Sequence, residues 1–363
     1  MDVAALGTLV RTLEERGYEV IAPSIREGAI CYGPVTCVED LPAGWTATQE
    51  PGRYRLERRQ DAALFGYTVG PKSLKDFLYP SELKLLRAEK AEGPFRILAD
   101  AAPAPRRAFL GVRACELAAA GVQDRVLMQD HFRDPSYEAR RRGSFLVAVH
   151  CAEPAGTCFC TSWDTGPRAR GGFDLALTEF VGEGRHEFLV EIGTAEGAEV
   201  MDAVSHTAAP AALLDESHAV TAEAVRKMPR KLNVEGLRER LRDHFEDPGW
   251  DAVAERCLAC GNCTQVCPTC FCTNVEDTND LKGEVAERSR RWDSCFSLEM
   301  SYIHGGEVRK STKSRYRQWL THKLSYWHDQ FGTSGCVGCG RCITWCPVGI
   351  DITQEAARIG ENA

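Results

Sequence analysis

The sequence predicts an α/β amino-terminal domain organised on a largely parallel sheet, followed by a smaller helical domain held together by cysteine chemistry. Three observations point there. Runs that are apolar on both faces alternate with helical stretches up to about residue 200, the pattern of βαβ units. A cysteine run beginning at Cys257 recurs at Cys336, and 17 cysteines are spread over only 363 residues.

Taken in order, Val3, Leu6, Leu9, Val10 and Leu13 recur at helical spacing over residues 3–16, and Gly17 closes that helix before a short strand over Tyr18–Ala22. Short strands broken by Gly and Pro fill the stretch from Cys31 to Pro80, and Ser81 reads as the N-cap of a helix reaching Lys90. Ala108–Val112, Phe145–Val149 and Phe188–Ile192 read as buried strands, with a helix over Glu116–Met128 between the first two. The first domain then covers residues 1–206. Residues 207–256 form a helical connector in which Asn233 caps a helix carrying Leu237, Leu241 and Phe245 inward until Asp247-Pro248 ends it. Residues 257–363 are cysteine-rich loops and short helices with many aromatics.

With Asp+Glu 52 against Lys+Arg 44, the net charge is −8, which repels nucleic acid and anionic lipid. Residues 308–328 do concentrate Arg309, Lys310, Lys313, Arg315, Arg317 and Lys323 without an acid. The reading adopted is that these cations offset negatively charged metal clusters nearby, so that neither nucleic acid nor membrane is a partner. No apolar run reaches the roughly 20 residues of a membrane span, and the start carries no export signal. A cytoplasmic protein with reduced thiols is expected.

Cys257-Leu-Ala-Cys260-Gly-Asn-Cys263-Thr-Gln-Val-Cys267-Pro268 and Cys336-Val-Gly-Cys339-Gly-Arg-Cys342-Ile-Thr-Trp-Cys346-Pro347 both match C-x2-C-x2-C-x3-C-P. In two-cluster ferredoxins this run places three thiolates on one iron–sulfur cube and sends the fourth to the other. One [4Fe-4S] cube would take Cys257, Cys260, Cys263 and Cys346, and the second Cys336, Cys339, Cys342 and Cys267. The helical domain is therefore expected to be a ferredoxin-like dicluster domain. Zinc also uses C-x2-C pairs, but does not need a third cysteine at the same spacing and a following C-P, twice over.

Cys115 and Cys151 each follow a predicted strand, with Cys158 and Cys160 shortly after. Ligands of open α/β sheets gather beyond the carboxyl ends of strands, so these four thiols could hold a third cube. Small buried hydrophobes are the alternative for some of them. Cys270, Cys272 and Cys295 stand near the first run and would either join a further or rearranged cluster or pack beside one; Cys31 and Cys37 read as ordinary core thiols. Gly66–Ser73 imitates a phosphate loop, but Pro71 has no N–H where the motif needs glycine. No dinucleotide fingerprint, nucleophile elbow or H-E-x-x-H is present.

Over most of its length the chain resembles the β subunit of cytoplasmic multi-subunit [NiFe] hydrogenases of the sulfhydrogenase type, and the related A subunit of anaerobic sulfite reductase. The resemblance rests on Gly111-Val-Arg-Ala-Cys115-Glu-Leu, on Cys151-Ala-Glu-Pro-Ala-Gly-Thr-Cys158-Phe-Cys160, on Cys267-Pro-Thr-Cys270-Phe-Cys272, on Trp292-Asp-Ser-Cys295-Phe and on the second cysteine run through Pro347-Val-Gly-Ile-Asp351. It implies an electron-transfer subunit without catalytic residues of its own, working among an FAD-carrying subunit that reacts with NAD(P)H, an iron–sulfur small subunit and a catalytic large subunit. It makes Cys115, Cys151, Cys158 and Cys160 plausible ligands and includes Cys270, Cys272 and Cys295 in the family pattern without assigning them a role. It does not choose between hydrogenase and sulfite reductase. Two other readings remain at this point: a self-contained reductase binding its own flavin, and an iron–sulfur sensor acting through residues 308–328.

Overall fold

The computed structural model describes residues 1–363 apart from 69, 91–93, 99–103, 130–131, 183 and 362–363. Its main strands, in chain order, are β1 (Glu19–Arg26), β2 (Ala29–Pro34), β3 (Trp45–Glu50), β4 (Arg53–Arg58), β5 (Glu82–Glu89), β6 (Arg96–Leu98), β7 (Arg107–Val112), β8 (Ser144–Val149), β9 (Leu175–Gly182), β10 (Arg185–Ile192), β11 (Thr273–Asn279) and β12 (Val285–Trp292).

The principal sheet has the order β10-β9-β8-β7-β1-β2. Its four central strands run parallel, but β2 and β10 close the two edges antiparallel. The sheet is thus mixed rather than largely parallel. The reason lies in connection length. Two-residue connections, Glu27-Gly28 between β1 and β2 and the two positions between Gly182 and Arg185, return the chain directly to its neighbour, which only an antiparallel pair permits.

Alternate residues of the central strands serve two cores. Leu110, Phe145, Val147, Leu175 and Leu177 pack on one face with Leu6, Leu9, Val10 and Leu13 of the helix Val3–Glu15. Phe109, Val112, Leu146, Ala148 and Ala176 pack on the other with Leu117, Ala120 and Leu127 of the helix Ala114–Leu127. Two-sided burial is why these strands carry unbroken apolar runs.

Residues 82–89 are a strand, not the expected helix. Glu, Leu, Lys, Arg and Ala favour helices locally, but β5 pairs with β12 and β6 in a second sheet of order β11-β12-β5-β6, and that pairing overrides propensity. Ser81 caps nothing; its carbonyl accepts from the Trp292 N–H at 2.8 Å. This sheet joins chain segments from before residue 100 and after residue 270. Asn233 likewise is not a helix cap. Its Oδ1 accepts from the Glu235 N–H at 3.1 Å in a turn, and the helix Leu237–Asp243 starts after Gly236 in the left-handed region. Leu237 and Leu241 are buried as expected, whereas Phe245 lies beyond the helix and is exposed, covered by the Arg317 guanidinium.

Candidate iron–sulfur centres

Each cysteine run folds as a loop entering a single helical turn, Asn262–Gln265 in the first and Arg341–Thr344 in the second. The residues before these turns, Gly261 and Gly340, both take φ of 76°, which glycine adopts without strain. The repeat extends to atoms: Ala259 N–H points to the Cys257 sulfur and Gly338 N–H to the Cys336 sulfur, each at 3.4 Å. Backbone N–H groups aimed at sulfur favour thiolate and tune a cluster's potential.

The two runs lie against one another, and Cys346 of the second reaches the thiols of the first. Cys257, Cys260, Cys263 and Cys346 line one cavity together with Cys342, Phe296, Tyr316 and Trp319. The charges acting on Cys263 come first from Cys257, Cys346 and Cys260 and then from Cys267, whereas Cys336, Cys339 and Cys342 all feel Cys267 and Cys342 also feels Cys263. Asn262 Nδ2 donates to the Trp345 carbonyl at 3.3 Å and fastens one run to the other. Cys260 is exposed, so the first centre lies at the surface.

The α/β domain delivers a third group. Cys115 opens the helix after β7 and Cys151 leaves the end of β8, the adjacent parallel strand. Cys151, Cys158 and Cys160 are buried; Cys158 and Cys151 act electrostatically on Cys160, and Cys160 acts on Cys115. Arg113 sets this corner. Its buried guanidinium donates to the carbonyls of Phe65, Tyr67, Val149 and His150 at 2.6 to 3.4 Å, which ties the ends of both strands to the loop 65–67.

This third group abuts the second run. Phe159 N–H donates to the Gly338 carbonyl at 2.8 Å, Thr165 Oγ1 donates to the Val337 carbonyl at 2.7 Å, and the hydroxyls of Thr157 and Thr344 meet at 2.8 Å. A Cβ on Gly340 would come within 2.4 Å of the Thr157 carbonyl oxygen, and one on Gly338 within 2.5 Å of that of Phe159, so glycine is required by contact as well as by φ.

Three charged side chains complete the site, of which the sequence reading gave a role only to Lys323, among the cations expected to offset the clusters. Arg341, inside the second run, is wholly buried and meets wholly buried Glu116, which follows Cys115. Arg341 Nε donates to the Gly70 carbonyl at 2.7 Å, and Glu116 Oε2 accepts from Leu74 N–H at 3.0 Å. Lys323, from the basic stretch, is buried and donates to Cys267 Sγ at 3.3 Å, Thr269 Oγ1 at 3.2 Å and the Gly335 carbonyl at 3.0 Å. The signal was available: a charged residue between ligand cysteines, or next to one, has little solvent to face.

Burial pushes the thiols of Cys257, Cys263, Cys339, Cys342, Cys115 and Cys151 up, and those of Cys336 and Cys158 up to about 12. Left to themselves these sulfurs would stay protonated, so occupancy by metal displaces protons. Among the described residues no three His, Cys, Asp or Glu side chains are close enough to share a single ion. A lone zinc requires that crowding, with every sulfur about 2.3 Å from one point, whereas a cube spreads its thiolates over separate irons. The donor chemistry fits cubes.

The 4Fe-4S dicluster domain family matches residues 256–350. Sulfhydrogenase 2 subunit beta of Pyrococcus furiosus is 36% identical over 262 residues, covering 70% of this chain and 74% of the relative. The chain belongs to the sulfhydrogenase β-subunit family. Membership covers more than the dicluster domain, since 262 aligned residues cannot fit in residues 256–350. The family assignment makes this an iron–sulfur electron-transfer protein of hydrogenase type. No solved structure matches the chain. Among the described residues no helix is long and apolar enough to cross a membrane.

Proposed function

We propose that the chain is the relay subunit of a cytoplasmic hydrogenase complex, carrying electrons between a flavin subunit that reacts with NAD(P)H and a [NiFe] module of small and large subunits. Bound [4Fe-4S] clusters supply one-electron transfer, while hydride chemistry belongs to an FAD on the partner. Cys257, Cys260, Cys263 and Cys346 would hold the first cluster, Cys336, Cys339, Cys342 and Cys267 the second, and Cys115, Cys151, Cys158 and Cys160 the third. The observation that carries the reading is the direct seating of the Thr157–Cys160 segment on the Val337–Gly340 segment, which sets the third thiol group against the second run, itself fastened to the first by Asn262. Contiguity is what a wire needs. The α/β half then serves as a holder for the third centre, with residues 207–256 as connector between it and the dicluster half.

The name of the relative favours hydrogenase over sulfite reductase as the partner system. Anaerobically purified chain is expected to hold about twelve irons, and native mass spectrometry of the complex to include hydrogenase subunits. Zinc in place of iron refutes the reading. Sulfite reductase subunits in the complex would refute the choice of partner, and flavin retained by the isolated chain would refute its assignment to another subunit.

A further inference from the structure

The fourth cysteines of the two runs hold equivalent positions in unequal surroundings. Cys346 Sγ accepts from the Ile350 N–H at 3.3 Å, a neutral backbone donor. Cys267 Sγ accepts from the Lys323 ammonium at 3.3 Å and lies 3.1 Å from Thr269 Oγ1. Cys270, Cys272 and Cys295 lie past it at the open end of the β11–β12 hairpin, all half-buried, where the Cys272 carbonyl accepts from Asp293 N–H at 2.9 Å. Lys323 is held at both of its ends. Its carbonyl accepts from Gly335 N–H at 2.8 Å and its ammonium donates to the Gly335 carbonyl at 3.0 Å, so it ties Cys267 to the residue before Cys336. Thr269 Oγ1 donates to that same carbonyl at 2.6 Å. A Cβ on Gly335 would come within 2.7 Å of the Trp327 ring and 2.9 Å of the Lys323 carbonyl oxygen, so the clamp closes only on glycine. Lys323 itself stands in a π-helical turn, His322–Tyr326, between the helices Thr312–Thr321 and Trp327–Phe331, an irregularity frequent at functional sites.

A buried ammonium destabilises a fold unless an anion answers it. Among the described residues the hydrogen-bond partners of buried Lys323 are the Cys267 sulfur, a hydroxyl and a carbonyl, with no carboxylate. The anion it answers is therefore the Cys267 thiolate with its ligated metal. Neighbouring charges leave this asymmetry in place. Arg341 is answered by Glu116. Arg315 donates to the Phe296 carbonyl at 3.0 Å beside the first cavity, where exposed Cys260 admits solvent that screens its charge. Buried Lys75 donates to the Gln265 carbonyl at 3.1 Å, two residues before Cys267, and adds to the same side. One-electron reduction of a cluster adds one negative charge without breaking a bond, and a fixed cation in low-dielectric surroundings favours that charge. We propose that Lys323 sets the second centre above the first in reduction potential, so that an electron entering the chain settles on the middle centre of the three. The electron is supplied by the reduced donor of the relay and leaves to its oxidised acceptor, with no proton taken up. This inference rests on the relay reading above.

The test is a redox titration of the full chain, purified anaerobically, followed by electron paramagnetic resonance. Signals are assigned by their loss or change in Cys257→Ser for the first centre and Cys336→Ser for the second. In wild type the signal of the second centre is expected to appear before that of the first as the potential is lowered. Lys323→Met should lower the second midpoint until, at a fixed potential, the ratio of reduced to oxidised second centre has fallen about tenfold, a shift of about 59 mV for one electron, with the first midpoint unmoved. Lys323→Arg keeps the charge and should lie closer to wild type. A wild-type second centre reduced after the first overturns the proposal. An iron-replete Lys323→Met whose second midpoint is unmoved, or whose two midpoints shift alike, overturns it too. The order in wild type needs no Lys323 variant, so a variant that loses its clusters cannot hide the answer. Wild-type chain holding zinc or no iron refutes the relay reading and the proposal with it, whereas iron-replete chain with the reverse order refutes the proposal alone.

Discussion

Removing the charge of Glu116 is the most informative single change in this molecule. Its carboxylate and the Arg341 guanidinium are each wholly excluded from solvent, and Arg341 has no other carboxylate partner among its described contacts. Glu116→Gln keeps the shape and an acceptor for the Leu74 N–H but strands a buried cation, a change that costs about 3–5 kcal/mol. Arg341→Met strands the carboxylate and should cost a similar amount. The double variant removes both charges and should be destabilised by several kcal/mol less than the sum of the singles. The charges of Glu116 and Arg341 both act on Cys339 and Cys115. A unit charge felt there at about 1–2 kcal/mol, through an effective dielectric near 20, shifts a one-electron potential by roughly 40–90 mV. Glu116→Gln should therefore raise the potentials of the second and third centres and Arg341→Met lower them. Anaerobic urea unfolding followed by circular dichroism, and redox titration followed by electron paramagnetic resonance, read the two effects. Additive losses of stability in the double variant, with potentials unmoved, would refute the reasoning.

Cys346→Ser is expected to perturb the centre of the first run and Cys267→Ser that of the second, each lowering bound iron by up to about four atoms; spectra in which each change stays with its own run would contradict the exchange. Gly340→Ala should deplete the second and third centres together, as measured by iron content, because its new methyl would strike the Thr157 carbonyl and force a left-handed alanine. Burial holds His322 below its usual pKa of 6.5, and the Trp327 indole N–H donates to its Nδ1 at 3.3 Å, so the folded state keeps the ring neutral. The unfolded chain then binds the proton more readily, so stability is level above about pH 6.5 and falls as the pH drops below it. Thermal midpoints for wild type and His322→Gln should therefore converge as the pH falls through that window, and parallel curves would contradict the assignment.

The parts of the fold read correctly from sequence are those where a local pattern and its burial agree. The helix Val3–Glu15 and the strands β7 and β8 announce themselves because each apolar residue meets a core that its own periodicity requires. The repeated cysteine loops are legible because backbone turns and thiol spacing are encoded together, down to Gly261 and Gly340. What escaped was decided by partners distant in the chain. Residues 82–89 look helical until β12 is beside them, and Leu175–Gly182 was missed as a strand, though it is the centre of the parallel-to-antiparallel changeover. Arg113, Glu116, Arg341 and Lys323 were noticed only as members of motifs or of a charge run, because a buried cation looks like a surface one until its carbonyls and sulfurs are in place.

The pairing of β5 with β12 also bears on how the molecule is made. Residues 82–89 cannot complete their sheet until the ribosome has released residues 285–292, some two hundred positions later. Until then the early half waits with an open edge, exposed to mispairing. Cys151, Cys158 and Cys160 emerge long before Gly338 and Gly340, on which their segment is seated. Assembly of this thiol group is thereby tied to completion of synthesis, and a chain cut short before residue 285 should leave the ribosome with neither its second sheet nor the segment on which Thr157–Cys160 is seated.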